Sequence, residues 1–385
     1  MKHLGYTTLF LSLIGIYSCG SQEKTAEITK SGLDPKRFET VINEDSTTLV
    51  KLTNDSGMEV CITNYGGRIV SIMVPDKDGN FRDVVLGFDN VDAYKPENNL
   101  TDFGAAIGRY ANRIANGRFV LDGDTIQLPQ NNFGHCLHGG TDMGTLGWQY
   151  RVYSVVEVTD TTFVISIDSP DDDNNFPGNV KAQVKYTLQS DNAIRIDYRA
   201  ETDKPTIINM TNHSYFNLSG DPEQSIEEEL VWLNASNFTP VDSTFMTTGE
   251  IVSVKDTPMD FTEEKLLGKD IESDFIQIKN GNGYDHNWVL DTNGSVEEVA
   301  ARVKDPRSGI VLEVYTTEPG VQFYTGNFLD GSVKGKKGIV YNKRHGLCLE
   351  TQKYPDSPNK PEWPSAVLRP GETYTSTCIY KFSTY

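Results

Sequence analysis

His213 stands in the stretch TNHSYFNLSG, Thr211 to Gly220, among amides, hydroxyls and two aromatic rings. Laid out with the period of two that a strand imposes, Ile208, Met210, Asn212, Ser214, Phe216 and Leu218 share one face. The other carries Asn209, Thr211, His213, Tyr215 and Asn217. The first face can mostly be buried, and the second suits a groove that binds something rich in hydroxyls. Imidazole titrates near neutrality, so it can give and take a proton there. A lone strand histidine is more often simply hydrogen-bonded at a sheet surface. Asn212-His213-Ser214 is also formally an N-glycosylation sequon.

Three further clusters carry chemistry. In KRHGLCLETQKYPDSPNKPEWPS, Cys348, Glu350 and Gln352 share one face of a short strand, and Leu347, Leu349 and Thr351 the other. A carboxylate at Glu350, inside so apolar a strand, is either paired structurally or tuned for proton transfer. The residues alone leave both open. In GHCLHGGTDMGTLGW, His135 and His138 are three apart, a spacing two metal ligands could use, and the glycines let backbone approach closely. A zinc site would need further ligands, and no HExxH pattern supplies them, so no metal is expected. Asp285 in GNGYDHNWVL, beside His286 and Trp288, reads as a sugar-facing patch or as an aspartate at a turn before a strand.

These groups need a frame. EVCITNYGG, FVISIDS, VKAQVKYTL, AIRIDYRAE, IVLEVYTTE and CIYKFSTY alternate with a period near two, and Gly, Pro, Asn and Asp turns separate them. The pattern predicts an all-β chain, a large antiparallel β-sandwich, with one short helix over 263–267. The acidic run DSPDDDNNFPGN, Asp168 to Asn179, lacks the glycine of an EF-hand and has strand-like flanks, so it reads as a solvated turn. With 37% hydrophobic residues, 17 Phe and 18 Tyr, the 385-residue chain can fill one large core.

A formal charge of -19 and a pI near 4.7 exclude broad contact with phosphate backbones or anionic lipid, so no nucleic-acid partner is expected. The apolar run Leu9 to Tyr17 is too short to span a bilayer and has the length of a signal-peptide core. Small residues around Cys19 resemble a bacterial lipobox, although Ile16 and Tyr17 depart from it. Residues 1–18 are therefore expected to be a lipoprotein signal peptide, with lipidation at Cys19 as the membrane anchor. Residues 19–36 are expected to be a flexible linker and 37–385 the folded domain. That predicts an exported bacterial protein, periplasmic or held at a membrane through Cys19. The remaining cysteines, Cys61, Cys136, Cys348 and Cys378, include no CxxC pair, and their pairing does not follow from spacing.

GRYANRIANGRF, LHGG, TNHSYFNLSG, YDHNWVL, PGVQFYTGNFLDG and LCLETQKYPDSPN occur in the order found in the aldose 1-epimerase (galactose mutarotase) family. The resemblance runs from about Phe38 to the C-terminus. It implies a galactose mutarotase-like supersandwich that interconverts the α and β anomers of aldohexoses, with no cofactor and a small aldohexose as the partner. It also implies Glu350 and His213 as the catalytic pair, His138 as a third catalytic group, and Asn112, Arg113, Asp285 and Gln322 as sugar-binding residues. Two carboxylates, Asp285 and Glu350, would also serve a glycosidase, but that chemistry has little need of imidazole at the ring oxygen. Oligomeric state is not legible.

Overall fold

Alternation along each strand decides which residues meet. In Val180–Leu188 every second side chain is buried, and the strand pairs antiparallel with Ala193–Thr202 in the register Val184↔Tyr198. The computed structural model describes Met1, residues 27–141 and residues 146–385. Its largest sheet has nine strands. From one edge they are Ser154–Val158, Thr162–Ser169, Val180–Leu188, Ala193–Thr202, Tyr374–Thr384, Ile310–Thr316, Ala301–Lys304, Leu230–Leu233 and Lys265–Leu266. A five-stranded sheet orders Val252–Ser253, Asn237–Thr239, Asp285–Val289, Gly320–Tyr324 and Cys348–Gln352. A third sheet spans Leu49 to Asp83 in four consecutive strands.

The two larger sheets share one core. Val184, Ile196, Leu312 and Tyr380 of the nine-stranded sheet belong to the same buried cluster as Trp288, Val321, Phe323 and Leu349 of the five-stranded one. Each such side chain contributes roughly 1.5–3 kcal/mol by leaving water. The fold is thus the expected antiparallel β-sandwich, and its chemistry sits on the opposite face of the five-stranded sheet.

Three local expectations change. Residues 263–267 hold no α-helix: Lys265–Leu266 is an edge strand followed by a 3-10 turn at Leu267–Lys269. The one α-helix among the described residues is Ile276–Gly281. The acidic run is a turn but only partly a solvated one. Asp173 is buried and takes both Nη groups of Arg151, at 2.8 and 2.6 Å, and Asn174 Nδ2 donates to Gly139 O at 3.0 Å. Part of the expected linker is packed: Thr29, Ser31 and Leu33 are buried, and the Ser31 hydroxyl donates to that of Ser71. Small hydroxyls and one leucine suffice to hold this polar segment to the sheet. Residues 2–26, which hold the expected signal peptide from Lys2 on, Cys19 and most of the expected linker, lie outside the described residues. Cys61, Cys136, Cys348 and Cys378 are buried free thiols.

Candidate active site

Cross-strand register brings distant residues together. Asn287 lies opposite Gln322, which lies opposite Glu350, and Asp285 lies opposite Tyr324. Directly opposed residues share a face, so Asp285, Gln322, Tyr324, Cys348 and Glu350 stand on one side of the sheet. Their neighbours His286, Trp288, Phe323 and Leu349 point into the core. His286 and Trp288 are therefore not sugar-facing. Both are fully buried, and the Trp288 indole N–H donates to Met259 O at 3.1 Å.

His213 comes from a separate three-residue strand, Thr211–His213, paired with Ala105–Ile107. The bridge between Phe216 and Leu347 draws this strand alongside the Glu350 strand. His213 Nε2 then lies 3.4 Å from Glu350 Oε1, both side chains almost wholly buried. Tyr215 stacks on the imidazole with ring centroids 5.1 Å apart, and Cys348 Sγ is 3.5 Å from Nδ1. On the expected groove face Asn209 and Asn217 do structural work instead, as does Asn212 on the face expected to be buried. Asn209 Nδ2 donates to Ala111 O, Asn212 Nδ2 to Gly104 O, and Asn217 Nδ2 to Gln224 O and His345 O. They satisfy loop carbonyls that burial would otherwise orphan.

Arg113 arrives on the two-residue strand Arg113–Ile114, paired with Cys136–Leu137, and Asn112 immediately precedes it. Asn112 and His138 both adopt left-handed backbone, φ 65° and 52°, and hold each other. His138 N–H donates to Asn112 O at 3.2 Å, and Asn112 N–H donates to His138 Nδ1 at 3.1 Å. Gly139 follows because a Cβ there would stand 2.6 Å from Gly108 O at a φ of +76°. Arg113 Nε donates to Asn132 Oδ1 at 3.1 Å, and its guanidinium lies over the Phe245 ring at 5.2 Å.

The loop after Glu350 locks this segment. Asp356 N–H donates to Arg113 O at 2.8 Å, and Ala115 N–H donates to Asp356 Oδ1 at 2.9 Å. At the other end Asn209 bridges Ala111 and Lys353: Lys353 N–H donates to Asn209 Oδ1 at 2.9 Å. Two brackets thus tie the Arg113 segment to the strand that carries Glu350.

Glu350, His213, His138, Asn112, Arg113, Asp285 and Gln322 all line one hollow of about 360 Å³. That volume falls within the usual range for a small-ligand site. Gln322 Nε2 donates to Asp285 Oδ1 at 2.7 Å, leaving Gln322 Oε1 and Glu350 Oε2 buried without a protein partner. Tyr215 joins the wall from the expected groove face, and Asp102, Asn132, Phe133, Leu137, Tyr324 and Phe328, which were not foreseen, complete it.

Burial dominates the electrostatics. It pushes the Glu350 carboxyl well above the carboxylate range, helped by the Asp285 and Asp102 charges and opposed by Arg113. It holds His213 below its ordinary value, against the pull of Asp102. His138 is pushed down to about 3, chiefly by burial. Since a backbone N–H can only donate, His138 Nδ1 is an acceptor and the neutral ring carries its proton on Nε2. His138 is then a fixed neutral donor with no lone pair for a metal. The same logic applies to His135, whose Nδ1 accepts from Asn116 N–H at 3.0 Å. The cluster with metal-ligand chemistry that escapes this objection is His213, Cys348 and Glu350.

Comparison with known proteins defines the class. The aldose 1-epimerase family model matches residues 48–381. Bovine (Bos taurus) galactose mutarotase is 44% identical over 328 residues, 85% of this chain and 91% of the relative. Escherichia coli (strain K12) aldose 1-epimerase is 39% identical over 336 residues, covering 87% and 94%. Among solved structures, an aldose epimerase homologue from C. elegans superposes with a TM-score of 0.80 at 32% identity, covering 88% of this chain and 99% of that one. Galactose 1-epimerase from Lactobacillus acidophilus NCFM gives 0.77 at 27%, covering 90% and 97%. The sandwich and its groove are those of a carbohydrate isomerase. The chain belongs to the aldose 1-epimerase family.

Proposed function

We propose that this protein interconverts the α and β anomers of aldohexoses such as glucose and galactose by opening and reclosing the ring. One observation carries the mechanism: a carboxylate and an imidazole 3.4 Å apart in one hollow lined by further polar side chains. Two oxygens on one carbon lie closer together than that, so each group can reach one of them. Glu350 takes the proton from the C1 hydroxyl, and the O–H electron pair becomes the C1=O π bond. The C1–O5 pair leaves to O5, which takes the proton from the His213 imidazolium. After rotation about C1–C2 the steps reverse on the other face of C1. Each positioned proton transfer is worth about 10²–10⁴-fold.

The ring-open stage leaves Glu350 protonated and His213 neutral. The burial that raises the one group and lowers the other favours that stage. A carboxylate of raised proton affinity is also the stronger base, and a buried imidazolium the stronger acid. Arg113, Asn112, Asp285 and Gln322 hold the hydroxyls so that C1 stays between acid and base. His138 Nε2–H serves as a fixed donor beside the reacting oxygens.

Polarimetry of freshly dissolved α-D-glucose and α-D-galactose tests the function. Optical rotation should settle faster with protein than without it, in proportion to protein concentration. An unchanged spontaneous rate for both sugars would refute the assignment.

The export reading is part of the same proposal. The apolar run before Cys19 supports cleavage there and lipidation of Cys19, which would hold the enzyme at a membrane surface. Labelled palmitate should enter the wild-type chain and not Cys19→Ala. Equal incorporation in both would exclude Cys19 as the anchor.

A further inference from the structure

Asp102 has no part in the mechanism above, yet it stands at the wall of the site. It lies just before the strand Ala105–Ile107 that pairs with the His213 strand, and its backbone carbonyl accepts from Ala105 N–H at 3.0 Å. That turn delivers the side chain to the hollow. One oxygen of its carboxylate, with ring nitrogens of His138 and His213, forms a set within 4.8 Å of one another. Oδ1 is buried and has no protein partner, and neither has the neighbouring Thr101 Oγ1. A buried carboxylate oxygen without a donor is destabilising, so a ligand donor there gains more than it would at the surface.

Asp102 also stands on the boundary of two spaces. A second hollow of about 360 Å³ lies between Asn98–Phe103 and Leu329–Val333 and shares Asp102, Tyr215, Tyr324 and Phe328 with the first. There is room beyond the carboxylate for a substituent of the sugar ring.

The chemistry orients the sugar. Glu350 must face O1 and His213 must face O5. Around a pyranose ring from O5, away from C1, the next atom is C5. Around His213, Asp102 groups with His138 while Glu350 groups with Cys348, so Asp102 stands apart from the O1 side and next to the C5 substituent. That substituent is a hydroxymethyl in an aldohexose, a methyl in a 6-deoxyhexose and a hydrogen in an aldopentose. We infer that Asp102 accepts a hydrogen bond from the C6 hydroxyl and makes this enzyme selective for sugars that carry one. The inference rests on the anomer-exchange reading and adds a specificity residue to it.

The test compares kcat/KM for glucose, 6-deoxyglucose and xylose in wild type, Asp102→Ala and Asp102→Asn. Wild type should favour glucose over the other two by roughly 10- to 100-fold, the usual range for one hydrogen bond to a charged group. Asp102→Ala should remove most of that preference by slowing glucose while leaving xylose within about threefold. Asp102→Asn keeps an acceptor and should fall between them. Wild-type protein handling 6-deoxyglucose as well as glucose would overturn the inference, and this comparison needs no variant to fold. So would an Asp102→Ala protein that slows all three sugars alike, which is the mark of an effect through His213. Failure of the underlying function looks different: wild type would then accelerate none of the three sugars, and both readings would fall.

Discussion

Asp356→Gly isolates the bracket that holds Arg113 near Glu350. The wild-type side chain is almost fully buried and its backbone is left-handed, φ 63° and ψ 18°. Oδ1 accepts from Ala115 N–H at 2.9 Å and Asn359 Nδ2 at 2.6 Å, and Oδ2 from Lys360 Nζ at 3.1 Å. Glycine keeps the left-handed backbone at no steric cost and removes both oxygens. An unpaired Ala115 N–H then costs about 1–3 kcal/mol. Alanine adds left-handed strain of about 1–2 kcal/mol, so Asp356→Ala should lose roughly 2–5 kcal/mol. Asparagine keeps Oδ1 and tolerates the left-handed region. It gives up an ion pair to a mostly buried lysine and should lose about 1 kcal/mol or less. Urea unfolding should rank the variants wild type, Asn, Gly, Ala. The functional readout is KM against kcat. Loosening Arg113 weakens ground and transition states alike, so Asp356→Gly should raise KM by about tenfold with kcat little changed. A Gly variant with wild-type KM would refute the bracket, and so would an Asn variant that falls as far as Gly.

Two more outcomes follow from the site's electrostatics. The competent pair holds one proton shared between Glu350 and His213. It gains a second below the His213 value, which lies under 6.5, and loses its one above the Glu350 value, raised well above 4.5. The pH profile of kcat/KM should thus be a broad bell with its acid limb below pH 6.5, and an acid limb above that value would contradict the assignment. His138→Gln should lower kcat by roughly 10²-fold, the typical loss for one fixed donor. It should leave the acid limb in place, because His138 itself titrates at about 3. A limb that moved with this substitution would mean that His138, not His213, is the acid.

The alternation of strands such as Val180–Leu188 was legible because each buries one face against the core. Glu350 was legible for the same reason: a carboxylate in step with Cys348 and Gln352 must share their face. The same alternation misled around His213. It fixes which side chains share a face, but not whether that face meets a ligand or a loop. Asn209 and Asn217 meet loop carbonyls, and those loops come from residues 111, 224 and 345. His286 and Trp288 were misplaced because the glycine-rich lead hides where the strand Asp285–Val289 begins. Asp102 carried no signal at all, since it lies outside any alternating run and only the fold brings it beside His213. Asp356 did carry one, in the PDSPN turn, but its partner Ala115 is 241 positions away.

The central claim is that Glu350 and His213 act as one proton-transferring pair. The most direct measurement is the anomerisation rate at saturating glucose for Glu350→Gln, His213→Asn and the double variant, each shown folded by circular dichroism. The pair predicts losses of about 10²-fold or more in each single variant. It also predicts a double variant little worse than the worse single one, because each residue works through the other. Either single variant turning over at the wild-type rate would contradict it.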